Sequence, residues 1–326
     1  MRAVVYTSPL TLEEREWPDP VPLDGDVLIS VRAVGICGSE LEGVRNNSPF
    51  RVPPLVMGHE FCGVRLDTGE RVAVNPLVTC GHCDLCVSGL SEICRSRQII
   101  GVHRSGGFAE LASVPAGNCY ALPDSVSDVQ GALVEPFANA VHAKALGSGL
   151  LPGERRLKVA VIGAGAIGLA IATVCAYDAD VTLSELDEHR RERAASSGLF
   201  AIADELNGEF DLVFDAVGSG STRRASVDLL RPGGVAVWVG LHSPDVALQG
   251  QDFIRAEKRV VGSFAYSARE FAEAVGAVAV AQPLWAETYP LARGADAFTR
   301  LLKEPGVAPR TVLVAGQNLG DGEASR

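Results

Sequence analysis

Four cysteines, Cys80, Cys83, Cys86 and Cys94, follow the spacing C-x2-C-x2-C-x7-C. Four soft ligands this close in sequence can wrap one tetrahedral ion. With every position filled by protein there is no room for substrate, so such a site would be structural. An iron–sulfur cluster and coincidentally spaced free thiols are the competing readings. The x7 interval and the absence of proline after Cys94 depart from the bacterial ferredoxin run, which favours zinc. His82, inside the loop, reads as a turn residue.

A second constellation is dispersed. Cys37-Gly-Ser39, Gly58-His59-Glu60 and Glu135-Pro136 offer a thiolate, a hydroxyl, an imidazole and two carboxylates on separate stretches of chain. Each alone is unremarkable. It is their order, with the four-cysteine lobe between them and a dinucleotide motif after them, that carries information.

The third is Gly163-Ala164-Gly165-Ala166-Ile167-Gly168, directly after the apolar run LKVAVI and before an apolar helical stretch. In that context the first glycine allows a tight turn, the second lets a pyrophosphate approach the backbone, and the third lets helix and strand pack closely. The helix N-terminus supplies N–H groups and partial positive charge to the phosphates. Glu185 lies twenty residues beyond Gly165, where an acidic side chain accepts from the adenine ribose and repels a 2′-phosphate. This favours NAD over NADP, against the nearby cations Arg190 and Arg191.

The elements that must position these residues fall into two stretches. Up to about Phe137 short strands such as Val27–Val31 and Arg71–Val74 alternate with Pro- and Gly-rich turns, the pattern of a β-rich domain. From Leu157 strands recur with intervening helices: LKVAVI, a helix to about Tyr177, VTLSEL, a helix from Glu188, FDLVFDAV, a helix from Ser221, VAVWVGL and RVVGSF. That rhythm implies a doubly wound parallel sheet. Glu135 to Gly149 reads as a connecting helix, Glu270 to Val280 as another, and Thr311–Val314 as a strand rejoining the first domain. The C-terminal GQNLGDGEASR reads as a frayed tail.

The order of these motifs, with Gly106-Gly107-Phe108-Ala109-Glu110, Arg231-Pro232-Gly233-Gly234 and Gly262-Ser263-Phe264, resembles the zinc-containing medium-chain dehydrogenase/reductase family over nearly the whole chain. The likeness is closest to its polyol (sorbitol) and threonine dehydrogenase branch. It implies an α/β fold of two domains. These are a β-rich GroES-like catalytic domain of residues 1–137 and 268–326 and a Rossmann dinucleotide-binding domain of residues 138–267.

By that resemblance Cys37 and His59 hold a catalytic zinc, Glu60 is a third ligand, and Glu135 ligates the ion or holds a zinc-bound water. Ser39 takes the first proton-relay position. Gly163, Gly165, Ala166, Ile167, Gly168, Glu185, Arg190, Val217, Gly240, Leu241, Ser263 and Phe264 form the cofactor site. The implied reaction moves a hydride between NAD(H) and a secondary alcohol or ketone of a polyol, sugar or aminocyclitol. Two zinc ions per chain and a homo-oligomer, dimer or tetramer, are implied as well. A threonine-type amino-alcohol dehydrogenase is the alternative substrate class, and a non-catalytic NAD-binding regulator the alternative from another class. Loss of Cys37, Ser39 or His59 would mark the regulator, and all three are present. Two features depart from the family pattern. Many relatives carry a histidine five residues after the catalytic cysteine, where this chain has Glu42, so the outer relay would run through Glu42 or water. GVRLDT also replaces a longer hairpin.

Composition favours a small-molecule ligand. A chain of 326 residues predicts two domains, and 47% hydrophobic with 21% charged residues is ordinary globular usage. A formal charge of −11 argues against nucleic acid and anionic membranes as partners. The apolar run in MRAVVYTSPLTLEERE is too short for a signal peptide, and clustered cysteines suit a reducing compartment, so a cytoplasmic location is expected. The uncharged stretch Val159 to Tyr177 carries glycine turn chemistry and reads as strand plus packed helix, not as a membrane span.

Overall fold

The computed structural model describes residues 1–46, 48–153, 155–304, 306 and 308–316, so the expected frayed tail lies, apart from Gly316, outside the described residues. Contacts divide the chain into two units. One comprises Met1–Cys80, Arg95–Glu135 and Gln282–Arg326, the other Gly81–Cys94 and Pro136–Ala281.

The chain begins with the antiparallel pair β1 (Arg2–Ser8) and β2 (Thr11–Glu16). The long strand β3 (Asp26–Ile36) then delivers the chain to helix α1 (Gly38–Arg45). Strand β4 (Leu55–Val56) pairs with β1, and β5 (Glu60–Arg65) pairs antiparallel with both β3 and β6 (Arg71–Val74). The segment that departs from the family's longer hairpin is thus a tight β5–β6 connection. Short strands β7 (Leu77–Val78) and β8 (Gln98–Ile99) pair across the base of the cysteine loop, which carries the one-turn helix α2 (Asp84–Val87). Strand β9 (Leu111–Pro115) pairs with the first half of β3, and β10 (Cys119–Ala121) with β6. Helix α3 (Asp128–Ala132), capped by a Ser127–Gln130 box, precedes α4 (Val134–Ser148).

In the second unit β11 (Leu157–Ile162), β12 (Ala179–Ser184), β13 (Ala201–Ala203), β14 (Phe210–Asp215), β15 (Leu230–Trp238) and β16 (Arg259–Gly262) form one sheet. Its order is β13-β12-β11-β14-β15-β16 and every pairing is parallel. Helices α5 (Ala166–Ala176), α6 (Glu188–Ala195), α7 (Gly220–Asp228) and α8 (Gly250–Arg255) connect the strands. Every residue of β14 is buried, Asp211 and Asp215 included. Strand order reverses between β11 and β14, the crevice where doubly wound sheets bind ligands. Among the described residues no helix is long and apolar enough to cross a membrane, and Val159 to Tyr177 resolves into β11 and α5.

Helix α9 (Ala268–Ala281) groups with this second unit, whereas the sequence reading returned the chain to the first domain at 268. The reason is visible in its packing. Phe271, Ala274, Val275 and Val278 are buried, and Glu270 accepts from His142 Nδ1 of α4 at 3.0 Å. The chain then re-enters the first unit through β17 (Ala286–Pro290), α10 (Gly294–Lys303) and β18 (Arg310–Val314). Strand β18 pairs antiparallel with β3, placing Leu313 opposite Val34, and completes the larger sheet. Helix α10 buries Ala297, Phe298 and Leu301, and Phe298 meets Phe108 edge-on at 5.3 Å.

Candidate active site and metal centres

Cys37 sits where β3 gives way to α1, as the N-cap of that helix. Glu40, at the third helical position, turns back and accepts the Cys37 N–H at 3.0 Å through Oε2. Its Oε1 accepts from Gly58 N at 2.9 Å and from His59 Nδ1 at 2.9 Å. Gly58 has φ of +95°, a conformation that glycine adopts without strain, and a Cβ there would lie 2.8 Å from the Phe108 nitrogen. The tight turn delivers His59 and then Glu60, which opens β5 directly opposite Gly35 of β3. A Cβ on Gly35 would come within 2.4 Å of Glu60 Oε2.

One ligand atom each from Cys37, His59 and Glu60 lies within 4.8 Å of the others. With Nδ1 committed to Glu40, His59 has Nε2 left for a ligand, the carboxylate–histidine arrangement that orients metal-binding imidazoles. Glu60 is fully buried. Arg310 Nη2 lies 3.0 Å from its Oε1, yet neither carboxylate oxygen has a partner in hydrogen-bond geometry. Buried, unsatisfied oxygens beside a thiol and an imidazole are what a zinc ion would satisfy. Three protein ligands would leave the fourth position open, as in catalytic zinc sites.

The electrostatics fit that donor set. Burial opposes ionisation of Cys37, but the charges of Arg310 and His59 outweigh it and bring the thiol down to about 6. Burial opposes the His59 imidazolium too, and Glu40 and Cys37 hold it well above its ordinary value. Glu60 is pushed up to about 8 by burial, against the pull of Arg310. A cation between these groups reverses that logic and favours thiolate, neutral imidazole and carboxylate.

Ser39, on the exposed side of α1, lies 3.4 Å from Cys37 Sγ through its Oγ and accepts from Arg51 Nη2 at 3.2 Å. The expected outer relay through Glu42 is not what surrounds Ser39: the Glu42 side chain is exposed, and Arg51 occupies the hydroxyl instead. Glu135 lies in the first turn of α4, outside the three-residue ligand cluster. Its charge acts on Arg310, where burial is outweighed by Glu60, Cys37, Glu135 and Glu40.

The sulfurs of Cys80, Cys83, Cys86 and Cys94 all lie within 4.8 Å of one another. Cys83 caps α2, Cys86 sits within it, and Cys94 follows a single 3-10 turn (Ser91–Ile93), so two short helical turns aim three of the sulfurs inward. His82 is exposed and outside the cluster. Four cysteine sulfurs would close the coordination sphere of a zinc ion, as in structural zinc sites.

In the second unit Gly163 follows β11 with φ of +99°, and Gly165 caps α5 with nothing within 4 Å of where its Cβ would be. A Cβ on Gly168 would fall 1.8 Å from the Gly163 oxygen, so helix and turn touch there. Ala166 and Ile167 form the first turn of α5, at its positive end. Glu185 follows β12; its Oε2 accepts the Ala164 N–H at 3.0 Å, and Arg190 Nη1 stands 3.7 Å away. Val217 follows β14, Gly240 and Leu241 follow β15, and Ser263 and Phe264 follow β16, all at the carboxyl edge of the parallel strands. The sequence reading missed Glu40, Arg51 and Arg310. Glu40 was visible as the third residue after Cys37, a helix-capping spacing; the two arginines carry no local signal.

Residues 23–124 match the family described as alcohol dehydrogenase GroES-like domain, and residues 163–279 the family described as zinc-binding dehydrogenase. L-galactonate-5-dehydrogenase of Escherichia coli K12 is 33% identical over 92% of this chain and 95% of its own length. An L-threonine 3-dehydrogenase of Shewanella woodyi is 32% identical over 74% of this chain and 78% of its own. A crystal structure described as a zinc-binding dehydrogenase of Sinorhizobium meliloti 1021 bound to NADP superposes with a TM-score of 0.86 at 27% identity, covering 96% of this chain and 98% of that one.

Proposed function

Because the chain belongs to the zinc-containing medium-chain dehydrogenase/reductase family, in its polyol and threonine dehydrogenase branch, we propose that it oxidises a secondary alcohol of a polyol, sugar or aminocyclitol with NAD, using Cys37, His59 and Glu60 as zinc ligands. The chain is a zinc-dependent dehydrogenase of the nicotinamide-linked type. The observation that carries the residue assignment is the convergence of thiol, imidazole and carboxylate within 4.8 Å, with both Glu60 oxygens lacking a hydrogen-bond partner.

When bound, zinc supplies the Lewis acidity that lets an alcohol lose its proton near neutral pH, and NAD is the hydride acceptor. Cys37 and Glu60 would contribute negative charge to the ion, and Arg310 pairs with Glu60 at 3.0 Å. Glu40 fixes the His59 ring and its tautomer. Ser39, which is exposed, takes the proton of the substrate hydroxyl and passes its own to solvent water, with Arg51 holding its oxygen. Glu135 would either ligate the zinc or hold a water beside it. In the second unit the N–H groups at Gly165–Gly168 receive the pyrophosphate and Glu185 receives the adenine ribose hydroxyls, which favours NAD over NADP. Arg190, Val217, Gly240, Leu241, Ser263 and Phe264 line the rest of the dinucleotide.

The first unit is thereby the catalytic domain and the second the dinucleotide domain. The lobe of Cys80, Cys83, Cys86 and Cys94 carries a second, structural zinc. A homo-oligomer, dimer or tetramer, in the cytoplasm completes the reading. The experiment that tests it follows NADH absorbance while polyols, sugars, aminocyclitols and amino alcohols are screened. Turnover of a polyol, sugar or aminocyclitol supports the reading, and turnover confined to amino alcohols replaces it with the threonine-type one.

A further inference from the structure

Arg51 is a buried cation that no carboxylate of the described residues meets within ion-pair distance. Only 9% of it is exposed. Of the five N–H donors that a guanidinium carries, one is used by a side chain, the 3.2 Å bond from Nη2 to Ser39 Oγ. Its Nε is buried without an acceptor. Glu40 is near enough for Arg51 to lower its pKa, although burial, His59 and the His59 hydrogen bond weigh more heavily there. The Glu40 oxygens are already taken by Cys37 N, Gly58 N and His59 Nδ1. Burying a charge is costly unless it is paired and hydrogen-bonded, so an arginine left in this state is short of an anion.

Its placement says where that anion would sit. Arg51 lies along α1 over Gly43, one helical turn beyond Ser39 and on the same face. A Cβ on Gly43 would come within 3.0 Å of Nη1 and 3.1 Å of Cδ, so the glycine makes room for the guanidinium. Ser39 joins Arg51 on one side to Cys37 Sγ, 3.4 Å away, on the other. A substrate hydroxyl bonded to Ser39 therefore places its neighbouring carbons beside Arg51. The flanking Phe50 and Val52 are exposed, 65% and 68%, and form an apolar rim with His103, whose ring centroid is 6.2 Å from that of Phe50.

We propose that Arg51 is a specificity-determining residue that binds an anionic group, carboxylate or phosphate, carried by the substrate within a few carbons of the reacting carbinol. The substrate class is then an acidic sugar derivative rather than a neutral polyol. A planar guanidinium suits either oxyanion because it can offer two parallel N–H donors. This rests on the dehydrogenase reading and narrows it.

The test compares kcat/KM for an alditol, the aldonate of the same skeleton and the corresponding alditol phosphate in the wild type, Arg51→Gln, Arg51→Lys and Gly43→Ala. The wild type is expected to prefer one acidic member, the carboxylate or the phosphate arm identifying which. In Arg51→Gln that preference falls about tenfold or more, chiefly through KM, as loss of a charge-assisted hydrogen bond predicts. Lysine restores part of it, and Gly43→Ala, which keeps the charge but displaces it, loses part of it. Zinc content and melting temperature establish that Arg51→Gln is folded, and Gly43→Ala carries the test if it is not. A wild type indifferent to the anion, or an Arg51→Gln with undiminished preference, overturns the proposal while leaving the dehydrogenase reading intact. If no alcohol is turned over, that reading fails, and calorimetric titration of the zinc-loaded protein with malonate and with inorganic phosphate decides the anion site alone. Binding lost in Arg51→Gln supports it, and absent or unchanged binding overturns it.

Discussion

Glu40 Oε1 stands 2.9 Å from His59 Nδ1, and the same carboxylate reaches the backbone of Cys37 through its other oxygen. One buried side chain thus fixes two of the three proposed zinc ligands. Glu40→Ala should weaken zinc at this site about 10- to 100-fold, the usual effect of losing such an outer partner, while the cysteine lobe keeps its ion. Competition with a chelator, followed by metal analysis, reads this directly. Equal retention of both ions would show that Glu40 only caps α1.

Cys94→Ser attacks the other centre. Wild type should carry two zinc ions per chain and this variant one, with earlier melting, because metal binding by such a lobe contributes to folding. A variant with full metal content and unchanged melting would remove the structural role.

Glu185 is held over the glycine turn by the Ala164 N–H, with Arg190 3.7 Å behind it. Glu185→Ser should lower the ratio of kcat/KM for NAD over NADP about tenfold or more, since a ribose acceptor is lost and a like charge removed. Equal use of both cofactors by the unmodified protein contradicts the assignment.

Asp211 gives a pH prediction away from both metal centres. Burial disfavours its charge, but hydrogen bonds from Arg155 and Arg231, joined by the Lys158 N–H at 2.8 Å, bring its carboxyl down to about 2. A folded-state pKa below the unfolded value of about 4 means the stabilisation is fully present above pH 4 and is lost as pH falls towards 2. Its size is about 2 kcal/mol. Asp211→Asn should lose that amount at pH 7 and flatten the acid limb of the stability curve between pH 4 and 2. Denaturant unfolding across that range checks it, and a variant with the wild-type acid limb refutes it.

The elements legible in the sequence were those with strong local signals. LKVAVI became Leu157–Ile162, and the charged helix from Glu188 and the strand Arg71–Val74 start where the residues placed them. Helix α10 and strand β17 were not anticipated; their roles depend on packing against Phe108, which is distant in sequence, and on pairing with β18 across the intervening helix. The same holds at the site. Cys37, His59 and Glu60 could be named from motifs, whereas Arg310 meets Glu60 only because β18 returns beside β3. Arg51 meets Ser39 only because Gly43 leaves it room.

NADH formation from a responsive alcohol, measured for wild type and Cys37→Ser with zinc counted in the same samples, tests the central claim most directly. A Lewis acid worth several kcal/mol predicts a loss of about 10²- to 10⁴-fold in rate. The variant should lose one zinc per chain with that activity and keep the other in the cysteine lobe. A Cys37→Ser protein that retains both ions and the wild-type rate would contradict the account, and the reacting centre would lie elsewhere.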